Sequence, residues 1–358
     1  MPETKDLFVA SEKLLEFSKR CFEKLGLPEE DAELTAQALI WTSLRGVDSH
    51  GVIRLKAYAD RLRAGGVNPL SPSRVVKEGP TFALVDGGNG VGQVVSMRAM
   101  KLAVEKAEEA GIAVVGVRNS SHFGAAAFYP LMTTEGRGMI AFASTNAGPT
   151  MAPWFGNKQL LGNNPLCLTV PAHRFPPLVL DMATGAVAWG KIFNARAEGK
   201  KIPPGWALDK YGRPTDDPVA ATDGGFIQPL GGYKGYGLCL MMDILCGVLT
   251  GSGFATSVTG LYRDQRRPQN IGHFFGALKI DCFMPVDEFC ERVDELIALM
   301  KECPRIEGEE RVYVPGEIEH ETEQERKRTG IPVNSSLREE LAALSQELGV
   351  ELPFLECF

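Results

Sequence analysis

No stretch of this chain is long and apolar enough to cross a bilayer. The longest apolar run, from Gly237 to Leu249, is broken by Asp243 and falls short of the roughly 20 residues that a spanning helix needs. The opening Met1-Pro2-Glu3-Thr4-Lys5-Asp6 is not followed by an apolar signal core, so the expected compartment is the cytoplasm and no membrane partner is expected. Basic blocks are scarce too. The formal charge is −7, and Lys200-Lys201 and Arg263 to Arg267 are short, interrupted clusters, which argues against nucleic acid as a partner. The 8 cysteines include no CxxC pair and no dense disulfide spacing. Several lie in apolar runs, such as Leu238-Cys239-Leu240 and Leu245-Cys246-Gly247, which predicts buried, reduced thiols.

The motifs of several common enzyme classes are missing. Five histidines (His50, His122, His173, His273 and His320) show no HxH or HExxH spacing, so no metal site is expected. No GxSxG elbow of a serine hydrolase occurs. Phe82 to Asp86 reads as a strand, and Gly87-Gly88-Asn89-Gly90-Val91-Gly92 follows it, but no frame satisfies G-x-G-x-x-G. The acid expected about 20 residues later is replaced by Glu105, Glu108 and Glu109 in a helical pattern, so an ordinary Rossmann site is excluded. Gly231-Gly232-Tyr233-Lys234-Gly235 lacks the Walker spacing and its Ser or Thr, although Lys234 stays a candidate for a phosphate or the substrate.

What is present is an ordinary globular composition, 44% hydrophobic and 23% charged over 358 residues, long enough for two or three domains. Residues 7–64 read as three amphipathic helices, the first carrying Leu7, Leu14 and Phe17. A helix from Val94 to Ala110, ending at Gly111, precedes a strand at Ile112 to Val117; another strand covers Gly138 to Ser144. Leu238 to Leu249 is expected to be a buried helix, Asn270 to Ile280 a strand, and Val286 to Cys303 an amphipathic helix. Tyr313 to Glu317 reads as a turn before two charged helices, about 318–329 and 335–348.

The stretch richest in chemistry is Ser43-Leu44-Arg45-Gly46-Val47-Asp48-Ser49-His50-Gly51-Val52-Ile53-Arg54-Leu55. A helix beginning at Pro28-Glu29-Glu30-Asp31 should stop near Gly46, and a second should run from about His50 to Ala64, capped by Asp48 or Ser49. On that helix His50 and Arg54, four residues apart, share a face. An arginine that grips a carboxylate beside a histidine that exchanges a proton is the equipment for a 2-hydroxy or 2-oxo acid. Arg118-Asn119-Ser120-Ser121-His122-Phe123-Gly124-Ala125-Ala126-Ala127 reads as a strand entering a small-residue helix, whose N-terminus would suit an anion. Asn146 lies in a loop rich in proline and small residues, and Leu161 to Pro165, which includes Asn163, repeats the theme of a strand ending in small polar groups. Asp181 reads equally as a base or as a structural acid closing a turn, whereas His273 reads as structural.

Taken in order over nearly the whole chain, several stretches resemble the type 2 malate/L-lactate dehydrogenase family. They are Asp48 to Leu55, Asn119 to Gly124, Met151 to Trp154, Asp181 to Thr184, Ile202 to Asp209, Pro229 to Leu238 and Pro315 to Glu317. The resemblance implies an α/β, non-Rossmann NAD(P)-binding fold with a largely antiparallel central sheet flanked by helices. It also implies a helical N-terminal part (1–75), a central cofactor-binding sheet domain (76–300) and a helical C-terminal part (301–358) that packs back on the first. Members are usually homodimers. By resemblance, His50 is the proton donor and acceptor, oriented by Ser49, and Arg54 binds the substrate carboxylate, with Asn146 and Asn163 beside it. His122 is a second catalytic candidate, named as the base in some relatives; with Phe123, Gly124, Ala125 and Ala126 it would lie against NAD, or else NADP. Met182, Ala183, Thr184, Tyr233, Lys234, Pro315, Gly316 and Glu317 would complete the cofactor cleft.

Two departures stand out. Asn163 replaces a threonine common in relatives, and Lys191 stands where some relatives carry a relay aspartate. The implied activity is hydride transfer at C2 of a small 2-hydroxy or 2-oxo acid of malate or lactate type. The alternatives are a cyclic imino acid reductase and a cofactor-binding protein without activity. Glu319 and Glu321, rather than a basic cluster, follow the Pro315 turn, which favours NAD because a 2′-phosphate calls for arginine.

Overall fold

A computed structural model describes residues 7–352. Its organising element is a seven-stranded sheet in the order Arg74–Gly79, Phe82–Asp86, Ile112–Ser120, Ile271–Lys279, Met139–Thr145, Leu166–Val170 and Leu178–Met182. Every neighbouring pair is antiparallel except Phe82–Asp86 with Ile112–Ser120. A parallel pair needs a crossover, and the helix Gly92–Ala110 supplies it. Val94, Val95, Met100, Ala103 and Val104 on that helix are buried, as are Val115, Val117, Ala141, Ala143 and Phe275 of the central strands. The largely antiparallel, non-Rossmann sheet expected from the sequence is therefore present.

The N-terminal helices Ser11–Lys24 and Glu29–Leu44 share one core with the last helix, Ser335–Leu348, through Leu14, Phe17, Phe22, Leu39, Leu341 and Leu344. A third core, under a small three-stranded sheet, gathers Met151, Leu161, Ile192, Ile202, Ile227 and Cys239. Cys21, Cys167, Cys239, Cys246 and Cys290 are buried and unpaired; Cys357 lies outside the described residues. Among the described residues no helix is long and apolar enough to cross a membrane.

Four expectations need correction. Leu7 belongs to no helix: Leu7–Val9 is a strand paired with Ile331–Val333, so the first helix begins only at Ser11. The single helix expected from His50 is replaced by two 3₁₀ turns, Asp48–His50 and Val52–Arg54, before the α-helix Leu55–Arg63. Asp48 caps nothing there, because its carboxylate is held by Arg326. Residues 121–127 are not helical: 121–125 carry no regular structure and 126–127 form a turn, with Gly124 at φ +84°, outside the helical region; the helix starts at Phe128. The helix Tyr233–Asp243 and its continuation Ile244–Val248 are not buried all round: Leu238, Met241, Ile244, Val248 and Leu249 are exposed, and only a narrow stripe through Gly235, Cys239, Asp243 and Cys246 faces inwards.

The Pro315 turn docks on the sheet edge, where the Val179 N–H donates to the Pro315 carbonyl at 3.0 Å. Gly316 takes φ +88°, and a Cβ there would fall 2.7 Å from Val179 Cβ. Gly316→Ala should therefore lower stability by about 1–3 kcal/mol, since the backbone is strained and the contact is sterically closed. Urea unfolding of both proteins measures it.

Candidate active site

A cleft of about 180 Å³ opens where the ends of the central strands meet the 3₁₀ turns. Ser49, His50 and Val47 line one side; His122, Phe123, Gly124, Ala125 and Ala126 line another. Asn146, Asn163, Asp181 and Ala183 complete the wall, with Glu319 reaching in from the C-terminal helix Glu317–Thr329. The chain thus brings together stretches from opposite ends of the sequence, from Trp41 to Glu319.

The two imidazoles of His50 and His122 stack at 5.5 Å between centroids, 19° from parallel. His50 Nδ1 lies 2.9 Å from Ser49 Oγ. A hydroxyl both donates and accepts, so Ser49 orients the ring whichever nitrogen carries the proton. His122 is constrained differently. Its Nδ1 lies 2.8 Å from the Tyr58 hydroxyl and also accepts the Gly124 N–H at 3.4 Å. An N–H can only donate, so Nδ1 is an acceptor and the proton of neutral His122 resides on Nε2. Burial is the main cause that lowers the pKa of His50, to about 4, with the Arg54 charge adding to it. Burial likewise depresses His122 well below its ordinary value, followed by the charges of His50, Arg54 and His273.

Arg54 is near enough to act on both rings but does not line the cleft wall. Its Nε donates to the Ser49 carbonyl at 2.6 Å, and Nη1 bonds the Tyr262 hydroxyl. Asn146 is fully buried, with its carboxamide held from three sides: Nδ2 donates to Asp243 Oδ1 at 3.1 Å and the Gly253 carbonyl at 2.7 Å, and Oδ1 accepts the Gly272 N–H at 3.0 Å. Thr184 latches the Asn163 carbonyl through both its N–H and its hydroxyl, at 2.8 and 2.9 Å. Met182, Thr184, Tyr233, Lys234, Pro315, Gly316 and Glu317 are not among the residues that line the cleft. Tyr233 is exposed against Trp154, and Glu317 bonds Lys301. Lys191 lies exposed on the helix Trp189–Ala197.

Sequence reading missed several groups. Trp41 and Arg45 line the cleft from the end of the helix Glu29–Leu44; Arg45 lies 5.0 Å from the Trp41 ring centre and bonds Glu323 at 2.9 Å. Asp181, which the sequence offered equally as a base or as a structural acid, accepts the Ala127 N–H at 2.9 Å. Asp181 is exposed to the cleft, yet the protein packed around its carboxyl raises it to about 6, with Glu319 adding to the rise and Arg45 opposing it. Glu319 was visible only as a charge after the Pro315 turn. Tyr58, one turn beyond Arg54 in sequence, carried no signal linking it to His122.

Two neutral imidazoles with different fixed partners, an adjacent arginine and a wall of small residues define the class: an enzyme that moves a proton on a small acid. The comparisons specify it. The family described as malate/L-lactate dehydrogenase matches residues 9–342. Malate dehydrogenase of Pyrococcus horikoshii is 42% identical over 350 residues, 96% of each chain. The solved structure of sulfolactate dehydrogenase from Methanocaldococcus jannaschii superposes with a TM-score of 0.91 at 37% identity, covering 97% of this chain and 98% of that one. An NADP(+)-named (2R)-3-sulfolactate dehydrogenase of Chromohalobacter salexigens is 36% identical over 85% of this chain and 88% of its own. The chain belongs to the malate/L-lactate dehydrogenase family.

His273 is fully buried and is pushed down to about 3 by burial, so three histidines are held neutral in the fold. Each has a folded pKa below its unfolded value near 6.5, so at low pH the unfolded chain binds more protons. Their contribution to stability is complete above about pH 6.5 and is lost as pH falls towards 4 and then 3. Across that window each histidine should add about 1.4 kcal/mol per pH unit to the slope of unfolding free energy. Urea titrations from pH 7 to 4 should give a shallower slope for His273→Asn than for the parent.

Proposed function

We propose that this enzyme carries out reversible hydride transfer between NAD and C2 of a small 2-hydroxy/2-oxo acid, with His50 as the acid/base and Arg54 holding the carboxylate. The observation that carries this reading is the unequal pair of imidazoles. His122 keeps its proton on Nε2 and so serves as a neutral donor to a substrate oxygen. His50, whose Ser49 partner accepts as readily as it donates, is free to present a bare Nε2. In the oxidation direction His50 takes the hydroxyl proton; in reduction it returns one to the carbonyl oxygen. Arg54 fixes the carboxylate and thereby the face of C2 that is presented.

The cleft suits a nicotinamide coenzyme. Gly124-Ala125-Ala126 carries no side chain larger than a methyl, which leaves space for a flat ring. The coenzyme supplies the hydride acceptor and donor. Residues 122–126 and Ala183 would hold it, with Thr184, Met182, Tyr233, Lys234 and the Pro315 to Glu317 turn around them. Asp181 and Glu319 place two carboxylates in the cleft, suited to ribose hydroxyls and repellent to a 2′-phosphate, so NAD is preferred over NADP. Glu321 has no part in this, being paired with Arg311. The exposed apolar face of Leu238, Met241, Ile244, Val248 and Leu249 supports a homodimer as the working form.

Following NADH and NADPH absorbance separately across oxaloacetate, pyruvate, other 2-oxo acids and a cyclic imino acid tests the reading. Turnover of the cyclic imine alone would overturn it. His50→Ala should lower kcat by about 10²–10⁴-fold while NADH still binds, and Arg54→Ala should raise KM for the acid about 100-fold. The kcat/KM for hydroxy-acid oxidation should stay level as pH falls through 6.5 and drop only near 4, where His50 gains its proton; a limb at 6.5 or above removes His50 from the role. Glu319→Gln should narrow the NADH-over-NADPH ratio of kcat/KM by roughly tenfold.

A further inference from the structure

Next to Arg54, beside the cleft, lies a tyrosine that none of the motif stretches contains. Tyr262 is 65% exposed, on the segment from Thr259 to Gln269 that runs past Arg54. Its hydroxyl is bonded by Arg54 Nη1, and its ring centre lies 5.4 Å from the guanidinium carbon.

The segment that carries it is firmly anchored. Arg61, 1% exposed, donates to the carbonyls of Leu261, Arg263 and Arg267, at 3.4, 3.3 and 2.5 Å. A guanidinium buried on three carbonyls of one segment fixes its path, because freeing them would leave a buried charge unsolvated. Gly66 packs so closely on this segment that a Cβ would lie 2.0 Å from the Gln265 carbonyl oxygen. Gln269 closes the loop by donating to the Thr259 carbonyl at 3.2 Å, and its Oε1 accepts the His122 N–H at 3.0 Å. The anchoring therefore reaches from Tyr262 to the backbone of His122.

Arg54 has five donors. One is committed to the Ser49 carbonyl and one to Tyr262, which leaves three. A phenol oxygen that accepts from a cation keeps its own O–H, and that O–H becomes a stronger donor through polarisation. We propose that Tyr262 is a substrate-binding residue: its hydroxyl donates to the carboxylate seated on Arg54, so that the acid is held by an arginine and a tyrosine together. This rests on the reading of Arg54 as the carboxylate site. The tyrosine supplies a directional neutral donor beside the cation, which selects an anionic carboxylate over an amide or ester of the same skeleton.

The test is steady-state kinetics of Tyr262→Phe at saturating coenzyme, with a 2-oxo acid and with the corresponding uncharged 2-oxo amide. For the acid, KM should rise about tenfold with kcat within about twofold, the loss expected for one hydrogen bond to a charged group. For the amide, parent and variant should agree, and the midpoint of thermal unfolding should not move. Titration with oxamate, an unreactive isostere of a 2-oxo acid, should show the same weakening without turnover. An unchanged KM makes Tyr262 a packing neighbour, and a lowered KM makes it a competitor for Arg54; either result overturns the proposal. Arg54→Lys separates the two levels: if it raises KM while Tyr262→Phe does not, only the tyrosine role fails. If neither variant moves KM or oxamate binding, the carboxylate reading of Arg54 fails with it.

Discussion

The interaction on which the site depends is the burial of one histidine at the centre of the sheet. His273 sits on the strand Ile271–Lys279, between the ends of two others, with Nδ1 2.8 Å from Thr145 Oγ1 and Nε2 2.8 Å from Ser120 Oγ. Two hydroxyls satisfy a neutral ring completely, one accepting and one donating; a protonated ring would keep its hydrogen bonds but bury a charge with no carboxylate to compensate it. The ring also stacks on Phe123 at 4.8 Å, within 4° of parallel. His273 therefore ties the strand that delivers His122 to the strand that delivers Asn146, and it lays Phe123 flat between them. A protonated His273 would place an uncompensated charge among all three.

Around that anchor, charge is sorted across the cleft. One end carries the two neutral imidazoles and the positive field of Arg54; the other carries Asp181 and Glu319, with Arg45 held to Glu323. Burial, and after it the Arg54 charge, depresses the histidines, and the protein around Asp181 raises its carboxyl, so the cleft avoids extra charge until a ligand arrives. That arrangement fits an anionic small acid at the first end and hydroxyl-bearing sugar at the second. The polar network of Asn146, Asp243, Gly253 and Gly272 stiffens the floor between them. This explains a buried asparagine whose carboxamide is already saturated within the protein.

Much of the architecture was legible along the chain because it is written in local periodicity. The strand at Phe82, the helix to Gly111, the strand at Ile112 and the two closing helices follow from spacing and from glycine or proline at their ends. Where the reading failed, a nonlocal partner had overridden a local preference. Leu7 is drawn into a strand by Ile331–Val333, and Asp48 is drawn from a capping role by Arg326. The apolar helix after Tyr233 shows the same limit from the other side: hydrophobicity reports that a surface avoids water, not whether this chain or another copy covers it.

The sequence by itself determined the local elements and the absence of a Rossmann fingerprint, and it offered His50 and His122 as candidates that only the family resemblance singled out. Only the tertiary structure decided how those histidines differ. Which nitrogen of His122 bears the proton depends on Tyr58 and on the turn at Gly124, and the neutrality of both rings depends on their burial beside Arg54. Likewise, Glu319, Arg45 and Tyr262 carry no mark in their own neighbourhoods. Their place in the site comes from contacts across up to 278 positions of sequence, such as Arg45 with Glu323. Hydrogen-bond polarity and desolvation are properties of a three-dimensional surrounding, and a linear spacing cannot encode them.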